Sequence, residues 1–592
     1  MDIINTIKRS TQEAIRELYT IEIPLEDILI NATKQEFEGD YTIVFFSLSK
    51  KLGIPPMDAG EAAGKYLISR QADLFISYNV IKGFLNLTIH ENYWIEFLQK
   101  NAADTDYGIQ PANNRTVVVE YSSPNTNKPL HLGHLRNNFL GWSVAEILKA
   151  CGYKVIKTSV VNNRGIHICK SMIAWKLFAE GATPQSTHTK GDHFVGEYYV
   201  KFNDVYTGQI NELIASGKTK EEAEKEAPIM LQARQMLLDW EKGKPEVMEL
   251  WNRMNDWVYA GFDATYKKTG SDFDKVYYES DTYILGKELV VEGLKKNIFY
   301  AKEDGSVWID LRPDGLDEKI VQRKDGTAVY ITQDIGLAVH KYEEYGYEQS
   351  IYVVGDEQNY HFKVLKLICE KMGMPSSAGI FHLSYGMVEL PSGKMKSREG
   401  TVVDADDIIE KMEVISQQKT EELGKVSGFD EPELIHLYET IGMGALKFFL
   451  LRIDPKKRMI FNPEESIDFH GFTGPFIQYT YARICSILRK QEAPGIEIKN
   501  YQPLEILEKS LIIQAEHFPA IINEAADSLD PSKLAIYIFN LARTYNSFYA
   551  EHSIANAGND EKKILRLKIS SITANIILKG MQLLGIRVPE KM

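Results

Sequence analysis

The chain has few of the residues that build disulfide frameworks and zinc sites. Its 592 residues include four cysteines, and no two of them form a C-x-x-C pair. That spacing argues against a zinc ribbon and against a disulfide scaffold. No uncharged apolar run approaches the ~18 residues that a membrane span needs. The opening stretch MDIINTIKRSTQEAIREL carries charge throughout, unlike a secretory signal. We therefore expect a cytoplasmic protein with no structural zinc and no membrane segment.

An excess of basic charge is also missing. Lys and Arg number 68 against 82 Asp and Glu, which leaves a net charge of −14. A nucleic-acid partner would therefore need basic residues grouped on one face, because the overall charge is repulsive. With 44% hydrophobic and 25% charged residues, the composition is that of a folded globular protein. The length predicts three or four domains.

A parallel βαβ unit is the clearest local pattern. The run TVVVEY at 116–121 is β-branched, as in buried parallel strands. The turn-rich loop SSPNTNKP follows, and then a helix with one apolar face that Gly152 closes. The next strand is predicted over 153–161. This order predicts an α/β domain with a parallel sheet.

The remaining patterns divide the chain into three parts. Residues 1–112 open with an amphipathic helix and continue through a hairpin-like stretch, GDYTIVFFSLSKKLG with GFLNLTIH, which predicts an α+β domain. Residues 113–404 form the α/β domain, with a polar helical insertion at about 185–265. After it, VYYES, SVWIDL, AVYIT and QSIYVVG predict strands. Residues 405–592 are predicted to be helical, with a bundle over about 470–592.

Two segments carry chemistry. In the first, His131, Gly133 and His134 stand where the loop enters a helix, and free N–H groups at a helix start attract phosphates. An isolated H-x-x-H is more often a surface or core pair, and metal ligation lacks a third ligand at a plausible spacing. In the second, PSGKMKSREG at 391–400 is a glycine-bounded loop with three cations. Such a loop is usually a solvated turn, but mobile lysines on it can neutralise a triphosphate. The pairing and the order of the two segments carry the signal.

These segments resemble the class I aminoacyl-tRNA synthetases, and more narrowly the arginyl-tRNA synthetase family. Further matches are GTAVYITQDIG, GFTGPFIQYTYARI, LARTYNSFY and LLGIRVPEKM, with FEGDYT and GFLNL near the N-terminus. The resemblance implies a Rossmann-like catalytic domain, an N-terminal domain that binds the tRNA elbow, and a C-terminal all-α anticodon-binding domain. It further implies a monomer that uses ATP with Mg²⁺ to activate L-arginine as arginyl-adenylate. Transfer of arginine to tRNA(Arg) follows, and the products include AMP and pyrophosphate.

The resemblance also implies the site residues. Residues expected to bind ATP are Pro124, His131, Gly133, His134, Asn137, Gly355, Lys394 and Met395. Those expected to bind arginine are Glu120, Asn125, Tyr330, Asp334 and Gln358. We assign Asp334, with Tyr330 one helical turn from it, to the guanidinium, which takes planar carboxylate acceptors. Taken alone, Tyr330 would be a core aromatic and Asp334 a helix cap.

The sequence departs from the family's usual Lys-Met-Ser-Lys-Ser loop, which leaves two alternatives for one catalytic cation. The catalytic groups implied are Lys128, His131, His134, Lys394 and Lys396. In the run Lys394-Met395-Lys396-Ser397-Arg398, the serine occupies the place of the second lysine. We favour Lys128 as the substitute, and Lys396 or Arg398 is the alternative. Asn163 stands where relatives often carry Asp, and its role is open.

The residues expected to contact tRNA mix aromatic, amide and cationic side chains, which suits splayed single-stranded bases. They are Phe84 and Asn86 in the N-terminal domain, and Gln478, Tyr479, Arg483, Tyr545, Asn546, Tyr549 and Arg566 in the C-terminal domain. The alternatives are strand core for Phe84 and an ordinary polar helix face for the residues of the C-terminal domain. Rival functions are another class I synthetase such as the cysteinyl enzyme, a small nucleotidyltransferase, and a non-catalytic tRNA-binding paralogue. The cysteinyl enzyme needs a zinc-binding cysteine set, which is absent. The nucleotidyltransferases lack the helical C-terminus that this chain has. The retained histidines argue against a non-catalytic paralogue.

Overall fold

The computed structural model describes residues 3–34, 36–391, 403–424, 428–491, 498 and 503–592. The chain divides into two compact units. Unit 1 comprises Met1–Tyr107, Ile487–Phe518 and Arg543–Ile576, and unit 2 comprises Gly108–Ser486, Pro519–Ala542 and Ile577–Met592.

The strands of the described residues are numbered along the chain. They are β1 (Ile30–Ala32), β2 (Tyr41–Val44), β3 (Phe75–Ile81), β4 (Phe84–Ile89), β5 (Thr116–Glu120), β6 (Lys154–Val161), β7 (Lys275–Tyr278), β8 (Tyr300–Ala301), β9 (Val307–Ile309), β10 (Lys319–Gln322), β11 (Gln349–Gly355), β12 (Ile380–Tyr385), β13 (Val388–Glu389) and β14 (Met459–Ile460).

The α-helices are numbered in the same way. They are α1 (Ile3–Tyr19), α2 (Phe45–Leu52), α3 (Pro56–Arg70), α4 (Glu91–Asn101), α5 (Leu132–Ala150), α6 (Ile166–Phe178), α7 (Pro184–Thr187), α8 (Gly191–Ala215), α9 (Lys220–Glu226), α10 (Pro228–Glu241), α11 (Pro245–Thr269), α12 (Glu279–Thr282), α13 (Lys287–Lys295), α14 (Tyr330–Tyr345), α15 (Asn359–Lys371), α16 (Ala405–Glu422), α17 (Glu431–Leu451), α18 (Pro463–Ser466), α19 (Gly474–Lys490), α20 (Ile506–Ser528), α21 (Pro531–Glu551) and α22 (Asp560–Leu583).

Unit 1 contains an antiparallel sheet in the order β1-β2-β4-β3. The predicted pairing of the two N-terminal segments is confirmed, because β2 pairs with β4. The prediction is wrong for FFSLSKKL, which forms helix α2. Phe45, Leu48 and Leu52 are buried at i, i+3 and i+7, a helical spacing that puts them on one face. Gly53 ends the helix with φ +68°, a left-handed conformation that favours glycine.

Unit 2 contains the predicted parallel sheet, in the order β12-β11-β5-β6-β7. The chain runs outward from β5 through β6 to β7 on one side, and from β11 to β12 on the other. The strand order therefore reverses between β5 and β11. Ligands of open α/β sheets bind beyond the carboxyl ends of the strands at such a switch point. The α/β prediction is confirmed, and the fold itself locates a candidate site.

The connections on either side of β7 differ from each other. Between β6 and β7 the insertion is helical, as its charge pattern predicts, and α8 and α11 are its longest helices. Between β7 and β11 lie the small antiparallel sheet β10-β9-β8 and helix α14. The prediction of a strand at AVYIT is wrong, because α14 begins at Tyr330. Ile331, Ile335 and Ala338 are buried at a helical spacing and pack in the core beside these short strands.

The part of the chain after residue 405 is predominantly helical where the structure describes it, as predicted. Helix α17 is long and apolar enough to cross a membrane, but most of its apolar stretch is buried. Its burial identifies it as a core helix of unit 2.

Candidate active site

The loop between β5 and α5 is tied to the end of β6. Asn125 forms a parallel bridge with Asn162, whose N–H donates to the carbonyl of Pro124 at 2.9 Å. The N–H of Thr126 donates to the Asn162 carbonyl at 3.1 Å. Pro124 is buried and Asn125 is exposed. The loop is thus held at the carboxyl edge of the sheet, and it delivers the chain to His131 at the start of α5.

His131 and His134 stack on one another at the N-terminus of α5. Their ring centroids lie 3.8 Å apart, and the His131 N–H donates to Nδ1 of His134 at 3.1 Å. That bond makes Nδ1 of His134 an acceptor, so Nε2 carries the ring proton. Gly133 fits between them, because a Cβ there would lie 3.0 Å from Cε1 of His131. The arrangement places both imidazoles at the N-terminus of α5.

Both imidazoles are neutral at pH 7. Burial, and then the charge of Lys128, lower the pKa of His131 to about 4. Burial lowers the pKa of His134 well below its ordinary value, with His131 and Lys128 acting in the same direction. Burial also lowers the pKa of the half-buried Lys128. A cation therefore stands close to both rings. Lys394, Met395, Lys396, Ser397 and Arg398 lie outside the described residues.

Asn137, on α5, forms hydrogen bonds to residues in or next to β5, β11 and β12. Its Oδ1 accepts the Ser122 N–H at 2.7 Å, and its Nδ2 donates to the carbonyl of Val353 at 2.6 Å and to the Tyr385 hydroxyl at 3.3 Å. Both ends of the buried amide therefore bond protein groups, and its contact with ATP stays a prediction. Gly355 ends β11 next to the switch point, and a Cβ there would meet nothing within 4 Å.

The residues predicted to bind arginine differ in exposure and in their hydrogen-bond partners. Tyr330 is 69% exposed at the start of α14. One turn later, the carboxylate of Asp334 lies 2.6 Å from Nε2 of His361. Gln358 is exposed at the end of the turn that follows β11. Asp334 is inside a helix and is not its cap, so the structure excludes the alternative of a capping role.

The carboxylate of Glu120 is paired with a lysine inside the protein. The ammonium of Lys341, from α14, is fully buried against its carboxylate. Lys341 Nζ also lies 5.0 Å from the ring centroid of Tyr352 and 5.5 Å from that of Tyr277. Lys341 therefore already meets the carboxylate that is predicted to contact arginine. A charge buried at the strand end does need a cation, and the chain itself supplies it.

The prediction missed a second acidic group, Glu279, where β7 passes into α12. Burial raises its pKa to about 7; Arg164 opposes that shift, and Asp334 adds to it. Among the described residues no cation forms an ion pair with Glu279. A buried carboxylate whose pKa is raised in this way is a candidate partner for a bound cation. The signal was available in the sequence, because Glu279 directly follows a strand at the carboxyl edge of the sheet, where Glu120 ends another.

Asn163, whose role the sequence left open, fixes the turn that carries Glu279. Its Oδ1 accepts the Ser280 N–H at 2.9 Å, and its Nδ2 donates to the hydroxyls of Tyr259 at 2.9 Å and Ser280 at 3.0 Å. The indole of Trp251 donates to its carbonyl at 2.7 Å. Asn163 is thus a structural link between β6 and α12.

Two of the residues of unit 1 predicted to bind tRNA remain candidates at its surface. Phe84 is 39% exposed, with its ring edge on Phe46, and Tyr549 is 43% exposed. Asn546 is half-buried.

The other three predicted residues of unit 1 are buried and bonded within the protein, and their contact with tRNA stays a prediction. Asn86 accepts from the Thr42 hydroxyl at 2.6 Å and donates to Asn79 at 2.7 Å. The hydroxyl of Tyr545 lies 2.9 Å from that of Ser570. The guanidinium of Arg566 bonds Glu508 at 2.8 Å, Glu505 at 3.0 Å and the Ser553 carbonyl at 2.7 Å.

In unit 2, Gln478 also bonds within the protein. It is buried, and its Nε2 donates to the carbonyls of Thr440 at 3.0 Å and Arg587 at 2.7 Å. Tyr479 and Arg483 are partly exposed, and the guanidinium carbon lies 4.8 Å from the ring centroid.

Comparison with known proteins gives the class and then the family. The model of the catalytic domain of class I (R) tRNA synthetases matches residues 97–462, and that of the DALR anticodon binding domain matches residues 477–592. The sheet and the helix start described above are thus those of a class I aminoacyl-tRNA synthetase. The arginine–tRNA ligases of Flavobacterium psychrophilum and Bacteroides thetaiotaomicron are 51% and 50% identical to the chain, over 100% of both proteins in each case. The chain belongs to the arginine–tRNA ligase family. The Thermus thermophilus arginyl-tRNA synthetase shares its fold, with a TM-score of 0.81 and 23% identity over 100% of both chains.

Proposed function

We propose that the chain ligates arginine to tRNA(Arg), activating L-arginine with ATP as arginyl-adenylate and then transferring it to the tRNA. The observation that carries the proposal is the stacked, neutral pair His131 and His134 at the start of α5, beside the switch point of the sheet. Adenylation needs positioning and charge stabilisation more than a protein nucleophile. A helix N-terminus with two imidazole donors supplies both to a phosphate chain.

The first step forms one bond and breaks one. A carboxylate oxygen of arginine attacks the α-phosphorus of ATP, and the bond from that phosphorus to the bridging oxygen breaks, so pyrophosphate leaves with the electron pair. In the second step a ribose hydroxyl of the tRNA attacks the arginyl carbonyl, and AMP leaves. Mg²⁺ enters with ATP as part of the substrate. Nε2–H of His134 is available to donate to a phosphate oxygen, since Nδ1 is used by the His131 N–H.

Lys128 is our choice for the cation that neutralises the leaving pyrophosphate. Its ammonium acts electrostatically on both histidines, and it stands on a loop fixed to the end of β6. Lys394, Met395 and Lys396 belong to this proposal through the sequence resemblance, with Lys394 and Lys396 as further cations. Gly355 offers an open face at the end of β11 for the adenine, and Pro124 and Gly133 shape the opposite side.

Arginine is proposed to bind with its guanidinium between Glu279 and Asp334. Burial, and to a smaller extent Asp334, raise the pKa of Glu279 against the effect of Arg164, and a bound guanidinium would favour its ionised form. Tyr330 then lies over the same end, and the exposed amides of Asn125 and Gln358 serve the ammonium and carboxylate of the amino acid. Glu120 acts through Lys341 as a support for α14 and does not contact the substrate.

Transfer RNA is proposed to contact three groups of side chains. Phe84 serves the elbow, in the domain of residues 1–112, while Tyr479 with Arg483 and Asn546 with Tyr549 serve the anticodon, in the domain of residues 405–592. Residues 113–404 form the catalytic domain. We further propose a cytoplasmic monomer, in keeping with the sequence analysis.

The test is aminoacylation with each amino acid in turn, using tRNA(Arg) and MgATP. We expect charging with L-arginine alone, accompanied by AMP release. Charging with a different amino acid, or arginine-independent release of pyrophosphate, would overturn the proposal.

A further inference from the structure

A cluster of polar side chains lies where α8, α11 and α16 meet in unit 2, apart from the residues assigned above. Lys190 precedes the first residue of α8, and its ammonium bonds Asp192 at 3.1 Å, Asp406 at 2.6 Å and the Thr265 hydroxyl at 2.6 Å. That hydroxyl donates in turn to Asp406 at 3.0 Å. The three helices are therefore joined by a closed set of hydrogen bonds.

His193 completes the cluster on the side of α16. Its Nε2 lies 3.1 Å from the Asp406 carboxylate and 3.4 Å from that of Asp404. The hydrogen bond to Asp406 raises the pKa of His193, against the effect of burial. Burial opposes ionisation of Asp406, but His193 and Lys190 together lower its pKa. The charges that face His193 are those of Lys190, Asp192, Asp404 and Asp406.

Three glycines allow the close packing in and around this cluster. A Cβ at Gly261 of α11 would collide with the Asp192 carboxylate, which is fully buried. A Cβ at Gly191 would collide with the carbonyl of Trp257. Farther along α8, a Cβ at Gly196 would come within 2.8 Å of Cδ of Pro129. The first turns of α8 thus pack directly on α11 and on the loop that precedes His131.

The same cluster holds the chain that pairs with His131. Asp404 forms an antiparallel bridge with His131, and the flanking bonds run from the Leu132 N–H to Val403 at 3.2 Å and from the Ala405 N–H to Leu130 at 3.0 Å. Asp404 and Asp406 are the side chains that His193 and Lys190 bind. Helix α8 therefore braces both the loop before His131 and the segment paired with it.

We propose that His193 and Lys190 are positioning residues for the adenylation step, because they hold the first turn of α16 against residues 130–132 and so fix the imidazole of His131. The inference rests on the proposed function, since it gives these residues a part in that reaction. Asp192, His193 and Asp406 lie close enough together to share a metal ion. The Lys190 ammonium already bonds two of the three, so the cation of this cluster is the lysine.

The test compares His193→Phe, which keeps a ring but loses the hydrogen bond, with His193→Gln, which keeps a donor. Hydrogen exchange of peptides covering 130–135 and 403–408 measures the pairing without any reaction. We expect faster exchange in His193→Phe at the Leu132 and Ala405 amides, and exchange near wild type in His193→Gln. The exposed His188, five residues earlier, gives the matched control His188→Gln, which should change nothing.

Kinetics provide the second readout. In arginine-dependent ATP–pyrophosphate exchange with tRNA present, His193→Phe should lower kcat about 10- to 100-fold, as a displaced catalytic group does. The KM for arginine should stay near wild type, and His193→Gln should recover most of the rate. Unchanged hydrogen exchange in His193→Phe would overturn the inference, as would a normal kcat in an active wild-type background. Altered exchange in a protein whose wild type does not activate arginine would instead count against the proposed function alone.

Discussion

Glu279 and Asp334 differ in the groups that surround their carboxylates. Asp334 has His361 beside it at 2.6 Å, whereas burial and Asp334 together leave Glu279 with a pKa of about 7. At pH 6 the free protein therefore holds most of its Glu279 neutral, and at pH 8 most of it is ionised. A bound guanidinium favours the ionised form, so the affinity for arginine should increase as pH rises through about 7.

The first prediction concerns this pair. For the wild type, kcat/KM for arginine should rise from pH 6 to pH 8 and level off above the pKa of Glu279. Glu279→Gln should abolish that rise and increase the KM for arginine about 10- to 100-fold, through loss of a charge-assisted pair of roughly 1.5–3 kcal/mol. Asp334→Asn should raise the KM similarly but keep the rise, with its midpoint moved to lower pH.

Steady-state charging across this pH range checks both variants. A Glu279→Gln protein with the wild-type pH profile would remove Glu279 from the pocket. If both variants lost the pH dependence equally, the group that titrates would lie outside this pair.

The second prediction, also at the residue scale, concerns the missing loop lysine. Lys128→Ala should slow arginine-dependent ATP–pyrophosphate exchange far more than Lys396→Ala, because Lys128 is the cation next to both imidazoles. Its expected loss is about 10²–10³-fold in kcat, the size found when one transition-state donor is removed. Ser397→Lys should partly restore the Lys128→Ala protein. A crippled Lys396→Ala with a normal Lys128→Ala would assign the cation to the 394–398 loop.

Among the elements, α14 depends on one buried ion pair for its place against the sheet. Lys341 is fully buried and Glu120 nearly so, and the rings of Tyr277 and Tyr352 enclose the ammonium. Desolvation consumes much of the attraction within such a pair, so removing one partner costs more than the pair contributes. The helix also carries Tyr330 and Asp334, so the pair links stability to the proposed arginine site.

The third prediction follows from that asymmetry. Lys341→Met or Glu120→Gln should each destabilise the protein by about 3–5 kcal/mol, seen as a lower melting temperature, because each leaves an unpaired buried group. The double variant should recover most of that loss. The exposed pair Arg115 and Glu348 is the matched control, and Arg115→Met should barely change the melting temperature. Single variants that melt like wild type would show that the pair is solvated in solution.

The elements also show what could be predicted from the sequence. The β5–α5–β6 unit was predictable because a buried strand, a turn-rich loop and a glycine-closed helix are each local patterns. The AVYIT stretch was not, because β-branched and aromatic residues suit a strand as well as the buried face of a helix. Helix α2 was missed for the same reason, since it begins at Phe45, directly after strand β2, and its residues Phe45 and Leu48 also suit a strand.

For the predicted tRNA contacts, the environment of each side chain was hard to predict for a different physical reason. Asn86, Gln478, Tyr545 and Arg566 are polar or amphipathic, which suits RNA, yet each is buried against partners far away in sequence. Whether a polar side chain faces solvent or a distant partner depends on tertiary packing, which local sequence does not specify. The helix start at His131 and Gly133 was predictable because it depends on a pattern only a few residues long.

At the scale of the whole molecule, the C-terminal helices belong to both units. Helices α20, α21 and α22 each contribute residues to unit 1 and to unit 2. A deletion from about residue 470 would therefore remove parts of both. Within unit 2 it would also remove the carbonyl of Gly585, which the buried ammonium of Lys447 bonds at 2.6 Å. Loss of tRNA charging after such a deletion would not separate lost RNA contact from lost folding, so surface substitutions are the better probe.

The fourth prediction uses two exposed aromatic residues of unit 1. Because the net charge is −14, contact with RNA depends on local features such as stacking rather than on overall charge. Tyr549→Ala should weaken binding of full tRNA(Arg) and of its isolated anticodon stem-loop alike, by the roughly 1–3 kcal/mol of one stacked base. Phe84→Ala should weaken binding of full tRNA only, because the stem-loop has no elbow. Filter binding with the two RNAs measures each effect, and the buried Tyr545→Phe serves as a control that should bind both normally. Equal loss of both RNAs in Phe84→Ala, with an unchanged melting temperature, would place Phe84 at the anticodon and contradict the proposed division of the tRNA surface.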